Sequence, residues 1–572
     1  MVKLSIDGRE VAVNEGATIL DAAGELGIKI PTLCALKDLN IIGSCRVCLV
    51  QVEGEGTLCA ACNTPVREGM QVRTDTPQVA AARRANLEAL LDSHRSECTS
   101  CARIDTCALR KLAADLAVGE TSCAMPAKGA WDEDFPLVRD SSKCIKCMRC
   151  VAYCEKIQQC AVWEQTGSGT CANVGVKGGL EISQAGCALC GQCITHCPTG
   201  ALTARNDIDK VMDALLDPEV FTVVQVAPAV RAAWGEGVKL PREKATPRRM
   251  ASALRALGFD RVFDTDFAAD LTIMEEGSEF LEFIKSDKPR PMFTSCCPGW
   301  VRFAKLHHPE IVPQLSSAKS PHQMMGAVVK NTLGEAAAEA GKKRIFCVSV
   351  MPCVAKKYEC DVPELSTEGG RDVDAVLTVR EFDRMLRMFS VDCAALKETE
   401  FDSPLGLSTG AGTIFGRTGG VMEAALRTAA SILIGEPASF EACDCTAATP
   451  EQPWMEKVLQ IAGLTIRIAV ASGLGNTEKL LAALEAGEVE YDFVEIMACP
   501  GGCVGGGGQP IRFNCELAKE RAAVLDRLDA EDSLRMSHDN PDIQKLYETC
   551  LEKPLSHTAH EWLHTDQVEW TI

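Results

Sequence analysis

Two cysteine runs, Cys144-x2-Cys147-x2-Cys150-x3-Cys154 and Cys187-x2-Cys190-x2-Cys193-x3-Cys197-Pro198, limit what this chain can fold into more than any hydrophobic pattern does. They belong to a total of 31 cysteines in 572 residues. Secreted disulfide scaffolds are short, whereas this chain is long and opens Met1-Val-Lys-Leu-Ser without an apolar signal core. Metal ligation in a reducing, cytoplasmic and anaerobic setting is the expectation that follows. A hydrophobic content of 46% permits ordinary cores, and the length suggests about three to five domains. The net charge of −20 counts against a nucleic-acid partner, which calls for a basic stripe. No uninterrupted apolar stretch is long enough to span a membrane.

The second run has the full bacterial ferredoxin spacing, and the first lacks only its proline. In that motif the fourth cysteine crosses to the other cluster. Cys144, Cys147, Cys150 and Cys197 are therefore expected to hold one [4Fe–4S] cubane, and Cys187, Cys190, Cys193 and Cys154 a second. Upstream, alternation at Val2, Leu4 and Ile6 and at Val11 and Val13, about a turn at Asp7-Gly8, predicts a hairpin. A helical run over 18–26 follows. The order Cys34-x10-Cys45-x2-Cys48-x13-Cys62 resembles a plant-type ferredoxin domain, with a longer first gap. That resemblance implies a β-grasp fold and one [2Fe–2S] cluster, with Gly43 letting backbone approach the sulfides. Cys59 competes with Cys62 for the fourth place, and the resemblance favours Cys62. A zinc ion on the same four thiolates is the alternative.

Thr76-Pro77 starts a helix with proline at its first position. The helix delivers His94-x3-Cys98-x2-Cys101-x5-Cys107. This resembles the His/Cys [4Fe–4S] segment of iron–iron hydrogenases and of the large iron–sulfur subunit of NADH dehydrogenases. Histidine in place of a thiolate raises a cluster's potential. Sixteen cysteine and histidine positions in the first 200 residues thus fall at iron–sulfur spacings. Cys123, Cys160 and Cys171 are left over and read as small buried hydrophobes.

Beyond about residue 209 the β-rich runs Phe221–Val226, Arg344–Val350 and Asp492–Ile496 each lead into a motif loop. The helical stretches Val421–Ile432 and Glu478–Leu484 would cover the sheets. Ligand sites in open α/β sheets lie beyond the carboxyl ends of the strands, so the loops are expected to converge between two lobes. The motifs are Thr294-Ser-Cys296-Cys297-Pro-Gly-Trp300, Met351-Pro-Cys353-Val-Ala-Lys356-Lys357 and Met497-Ala-Cys499-Pro-Gly-Gly-Cys503-Val-Gly-Gly-Gly-Gly-Gln-Pro510. Cys297, Cys353, Cys499 and Cys503 suffice for a cubane. The neighbours Cys296 and Cys297 cannot easily point at the same cluster, which leaves one free. Gly501, Gly502 and Gly505–Gly508 are expected to clear space for a bulky inorganic group.

These three motifs resemble the signatures of iron–iron ([FeFe]) hydrogenases, and with the upstream sites the match spans essentially the whole chain. The resemblance implies four regions: 1–78 (plant-type ferredoxin-like), 79–125 (His/Cys cluster), 126–208 (two-cubane ferredoxin) and 209–572 (two-lobed α/β catalytic domain with a tail). The fold class is multidomain, mixing α+β and α/β. The implied cofactor is an H-cluster, a cubane joined through Cys503 to a diiron unit bearing CO, cyanide and an amine-bridged dithiolate. Cys297, Cys353 and Cys499 would complete the cubane. Cys296 would carry the proton, with Glu276, Glu279 and Ser316 as its relay. Lys356 would meet cyanide charge, and Ala227, Pro228, Met351, Met497 and Phe415 would form the apolar lining.

Three positions depart from the family pattern: Phe283 where an arginine closes the outer proton path, His322 where glutamine is usual, and Arg417 in place of a small residue. His322 and Arg417 lie in segments expected near the diiron unit. The Ser472-Gly-Leu-Gly-Asn-Thr477 segment looks like a phosphate loop but lacks the G-x4-GK[ST] pattern, and helix capping accounts for it. His557, His560 and His564 sit at helical spacing and suggest zinc. The segment instead resembles the family's C-terminal tail, a docked helix. The expected reaction is reversible proton reduction to H2, with ferredoxin or a similar carrier as electron partner and maturation proteins to build the diiron unit. A subunit role beside a flavin/NAD partner in an electron-bifurcating complex is the alternative, and a non-catalytic hydrogen sensor or iron–sulfur carrier a more distant one.

Overall fold

Every residue of the strand Val220–Val226 is buried, as a parallel strand covered on both faces requires. The computed structural model describes residues 1–572 apart from 120–126, 368–369, 435–442, 444, 446–451, 462, 513–516 and 571. Cys123 and the expected boundary at 125 lie outside the described residues.

Val220–Val226 is flanked by Arg344–Met351 and Arg261–Asp264, with Ala375–Thr378 outermost, in a four-stranded parallel sheet. A second sheet runs Met292–Phe293, Phe493–Met497, Leu464–Ser472 and Trp454–Ile461. Its first three strands are parallel, and the last is an antiparallel hairpin partner. The strand expected over 492–496 is thus shifted by one residue. The short strands Met292–Phe293, Arg261–Asp264 and Ala375–Thr378 have too few residues to show a period. The helices Gly420–Ile434 and Leu474–Glu485 lie where helical stretches were expected.

The helix Thr265–Phe283 begins where Asp264 accepts from the Asp266 amide. Glu276 and Glu279, three residues apart, share one of its faces. Ser316 is held opposite by its amide, which donates to Phe293 O at 2.8 Å.

At the other end of the chain, Val2–Ile6 pairs antiparallel with Arg9–Val13 and parallel with Gln71–Arg73 in a five-stranded sheet. The helix Ile19–Glu25 packs there, fixed by a capping box between Thr18 and Asp21. Pro77–Asp92 is the expected helix, with Thr76 accepting from the Val79 amide. In the two cysteine runs the backbone turns left-handed at matching places, Lys146 and Met148 in the first and Leu189 and Gly191 in the second. Such turns aim successive amides inward, as a nest for anionic sulfur needs.

Two amide side chains join these regions. Asn40 donates to Cys34 O at 2.7 Å and to Cys147 O at 2.9 Å. Gln158 donates to Ala498 O at 2.8 Å and accepts from the Leu474 amide at 3.1 Å. The second bond corrects the capping expectation for 472–477. No side chain of the segment itself caps the helix, and Gln158, just after the first cysteine run, takes that place. The tail helix His557–Leu563 docks on the catalytic region, where Lys319 N donates to Leu563 O. No helix among the described residues is long and apolar enough to cross a membrane.

Gly507 stands where the second cysteine run meets the last motif loop. A Cβ there would lie 2.5 Å from Gly191 Cα and 2.6 Å from Cys190 O, both backbone atoms. Gly507→Ala is expected to lower unfolding stability by about 1–3 kcal/mol. Gly334→Ala, with nothing within 4 Å, is the control. Equal thermal midpoints for the two variants would show that this junction is not close-packed.

Candidate active site

The carboxyl ends of the parallel strands of both sheets face one cavity. Val226 leads to Ala227 and Pro228, Met351 to Cys353, Phe293 to Cys296 and Cys297, and Met497 to Cys499 and Cys503. Ala227, Pro228, Cys296, Cys297, Cys353, Cys499 and Cys503 all line the cavity, with Met351, Met497, Phe415 and Lys356. Thr265, Pro298, Pro321 and Pro352 also line it. Pro298 and Pro352 lie inside two of the motifs, whereas Thr265 and Pro321 fall outside them.

Burial pushes the Cys353 thiol up to about 12, and neighbouring Cys297 adds to this while Lys356 opposes it. Cys503 is raised by burial and then by Cys297 and Cys353, and Cys499 by burial, Cys353 and Cys190. Four thiols in so dry a space ionise only with a cation between them, which is what an iron cluster provides. Among the described residues no group of three or more His, Cys, Asp or Glu side chains is arranged to hold a single metal ion. The donor set and its apolar walls fit the larger cubane-diiron group.

Gly502 and Gly506 line the cavity and also pack closely on protein backbone. A Cβ on Gly502 would lie 2.6 Å from Thr418 N, and one on Gly506 2.3 Å from Pro352 O. The absent side chains thus also let three loops pack against one another around Cys503.

Lys356 is buried and donates to Cys296 O at 3.2 Å and to Glu359 Oε2 at 2.8 Å. Burial works to raise the Glu359 carboxyl, but Lys356 and His322 outweigh it and hold it at about 2. Glu359 was missed, although its place three residues after Lys356 on a helix was a usable signal. His322 does line the cavity. Burial, with Lys356 beside it, lowers its pKa to about 4, so the ring is neutral. Nε2 lies 2.5 Å from Glu359 and Nδ1 3.0 Å from Ser349 Oγ. With Nε2–H donated to the carboxylate, Nδ1 accepts from Ser349, and neither nitrogen is left to donate into the cavity. The segment around Arg417 does border the cavity, as expected. Gly416 lines it, while the Arg417 guanidinium pairs with Glu423 and Asp526.

Beside Cys296, Glu276 is fully buried, and burial followed by Glu279 pushes it up to about 8. Ser316 and the Ser295 amide approach it, yet neither carboxylate oxygen meets hydrogen-bond geometry. The Ser316 hydroxyl is given instead to Glu279 Oε2 at 2.7 Å. Burial and then Glu276 raise the Cys296 thiol. Phe283 is buried in apolar packing and also borders a cleft of about 620 Å3 shared by Glu279, Glu282 and Lys288.

Upstream, Cys34 reaches Cys45 and Cys62, and Cys48 reaches Cys62, while Cys59 contacts Thr64. His94 Nδ1 lies 3.1 Å from Lys143 O. Burial keeps the ring neutral, so Nδ1–H donates and Nε2 is left for a metal. Cys101 and Cys107 share the buried Arg103 with Cys197. Cys98 precedes them on a short helical turn. Cys150 feels Cys147, Cys197 and Cys144, whereas Cys193 feels Cys190, Cys187 and Cys154 and, more weakly, Cys150. Cys499 Sγ lies 3.6 Å from Cys190 O. The thiol groups therefore form a continuous series that ends at the cavity. Among the leftover cysteines, Cys171 is exposed, against expectation, and Cys160 sits beside Cys154.

Residues 220–507 match the iron only hydrogenase large subunit, C-terminal domain. The chain is a member of the iron-only, or [FeFe], hydrogenases. Residues 1–77 match a 2Fe-2S iron–sulfur cluster binding domain, and 83–122 the NADH-ubiquinone oxidoreductase-G iron–sulfur binding region. Residues 515–568 match the iron hydrogenase small subunit. The hydrogenase is 44% identical to the NADP-reducing hydrogenase subunit HndD of Solidesulfovibrio fructosivorans, over 99% of this chain and 98% of that one. It is 37% identical to iron hydrogenase 1 of Clostridium pasteurianum, over 99% of both. A solved [FeFe]-hydrogenase from Chlamydomonas reinhardtii superposes with a TM-score of 0.57 at 40% identity, over 63% of this chain and 98% of that one. The cytosolic iron–sulfur assembly component 3 of Rattus norvegicus is 32% identical over 67% of this chain and 83% of that one. This hydrogenase is thus an oxidoreductase acting on H2, with iron–sulfur domains ahead of an H-cluster domain.

Glu276 has a folded pKa above its unfolded value, so between about pH 4.5 and 8 the native state binds more protons. Stability contributed by the protonated form is therefore lost as pH rises through that window, by about 1.4 kcal/mol per pH unit at most. Glu276→Gln should be more stable than wild type at pH 7.5 and equal to it near pH 4.5. A difference between the two melting curves that does not change with pH would refute the assignment.

Proposed function

We propose that this hydrogenase interconverts protons, electrons and H2 reversibly, with electrons and protons arriving at the cavity by separate routes. The observation that carries the reading is one cavity in which Cys297, Cys353, Cys499 and Cys503 stand together while Cys296 lies beside the buried Glu276. Cys297, Cys353, Cys499 and Cys503 would hold the H-cluster, with Cys503 as the thiolate serving its diiron unit, and the group would supply the redox chemistry of H2.

This chain's own residues do the rest. Cys296 exchanges a proton with the reacting centre and passes it to Glu276. A carboxyl poised near neutrality both takes and gives a proton at little cost. Ser316 links it to Glu279, which borders the solvent cleft. Lys356, held by Glu359 and the Cys296 carbonyl, supplies a fixed cation for anionic ligands. Ala227, Pro228, Met351, Met497 and Phe415 keep water out, which strengthens that interaction.

Electrons would pass along the thiol series. A [2Fe–2S] cluster on Cys34, Cys45, Cys48 and Cys62 and a [4Fe–4S] cluster on His94, Cys98, Cys101 and Cys107 would both feed the cubane on Cys144, Cys147, Cys150 and Cys197. The cubane on Cys154, Cys187, Cys190 and Cys193 follows, beside Cys499. The working regions are 1–78, 79–125, 126–208 and 209–572. Ferredoxin is the proposed donor. A second reading, as a subunit of an NADP-linked complex, is favoured by the 44% identity to HndD along nearly the whole chain. A carrier role is disfavoured because Cys296 lines the cavity with Glu276 beside it, and Glu279 follows at the solvent cleft.

Cys296→Ala should retain the infrared CO and CN stretches of matured protein and lose about 10²–10⁴-fold in viologen-driven H2 evolution. Full turnover in that variant would remove the relay. Reduced ferredoxin should drive the chain alone. Activity with NADPH only after a flavin subunit is added would favour the second reading.

A further inference from the structure

The tail brings a histidine to the outer end of the relay. His564 follows the helix His557–Leu563 and is buried. Its Nδ1 lies 2.8 Å from Ser317 Oγ, which in turn lies 2.8 Å from Glu279 Oε1. Its Nε2 lies 3.0 Å from Glu275 Oε2. Glu275 has no solvent exposure and also accepts from Tyr547 OH and from the Leu555 amide. Backbone bonds pin this arrangement, with Thr565 N donating to Ser317 O at 2.8 Å.

A serine hydroxyl has one proton to donate. When Ser317 gives it to Glu279, Nδ1 must carry hydrogen and donate to Ser317. With Glu275 ionised at Nε2, the ring is then an imidazolium. When Ser317 gives it to Nδ1, the ring is neutral and Glu279 is the protonated group. The two arrangements differ by one proton shifted from Glu279 to His564.

We propose that His564 holds a proton for Glu279 through Ser317, as a side branch of the relay and a positioning residue for its outer carboxylate. This rests on the relay reading above. In the transfer the O–H bond of Glu279 breaks as an O–H bond forms on Ser317, whose own hydrogen passes to Nδ1. A neutral acid and a neutral imidazole become a carboxylate and an imidazolium, with Glu275 as the counter-charge that makes a buried imidazolium tolerable. The other titratable groups on this face are Tyr547, His560, whose ring centre is 4.5 Å from that of His564, and Glu282. The tail helix is thereby more than a docking element.

His564→Gln keeps an N–H for Glu275 and an oxygen for Ser317 but cannot hold the proton. In matured protein, the acid C=O stretch of Glu279 is identified by its loss in Glu279→Gln. That band should vanish at a higher pH in His564→Gln than in wild type, because the carboxylate has lost a cationic partner. H2 evolution should fall at least about tenfold, short of the ~10²–10⁴ of a direct proton donor, with the CO and CN stretches unmoved. Ser317→Ala leaves the His564–Glu275 contact intact and should reproduce both changes. An unmoved acid band or an undiminished rate in Ser317→Ala overturns the proposal, whether or not His564→Gln folds. Retained turnover in Cys296→Ala would instead remove the relay itself, so the two failures are distinguishable.

Discussion

Four thiols raised by burial in one dry space are the condition on which the rest of this molecule depends. Left protonated they are poor metal ligands, and ionised without a partner they would be intolerable. A cluster resolves this only if the four arrive from different parts of the chain at fixed spacing. Parallel sheets are suited to that task, because successive strands all deliver their following loops to the same edge. Val226, Phe293, Met351 and Met497 do so from two sheets. The register of Val223 opposite Cys347 and Val226 opposite Val350 sets where the loops of the first sheet meet.

Charge around the cavity is arranged by the same logic. Glu359 stays ionised because two partners outweigh its burial, whereas Glu276 has no partner and is pushed toward neutrality. Two buried glutamates thus take opposite protonation states, and position alone separates the structural carboxylate from the one suited to proton exchange.

Much of this was legible in the residues. The cysteine spacings suggested how the thiols group, and the β-rich runs over 221–226 and 344–350 announced strands within a residue of those observed. What remained illegible depends on contacts between distant segments. Strands of two to four residues carry no period, and Met292–Phe293 is recognisable only by its partner Phe493–Met497. The capping of Leu474 by Gln158 joins positions more than three hundred residues apart, which no local rule anticipates. Arg417 seemed to belong to the cavity because its neighbours do. A single step along the backbone turned it toward Glu423 and Asp526 instead. His564 looked like one of three equivalent tail histidines until Ser317 and Glu275 were found on either side of it.

The joints between the cluster-bearing regions have a further consequence. Asn40 and Gln158 hold them through uncharged amides bonded to backbone carbonyls and an amide. An arriving electron changes the local field but neither protonates nor repels such a clasp. Along the proposed electron route, a change of cluster charge would therefore find no ionic or titratable group in either joint to release.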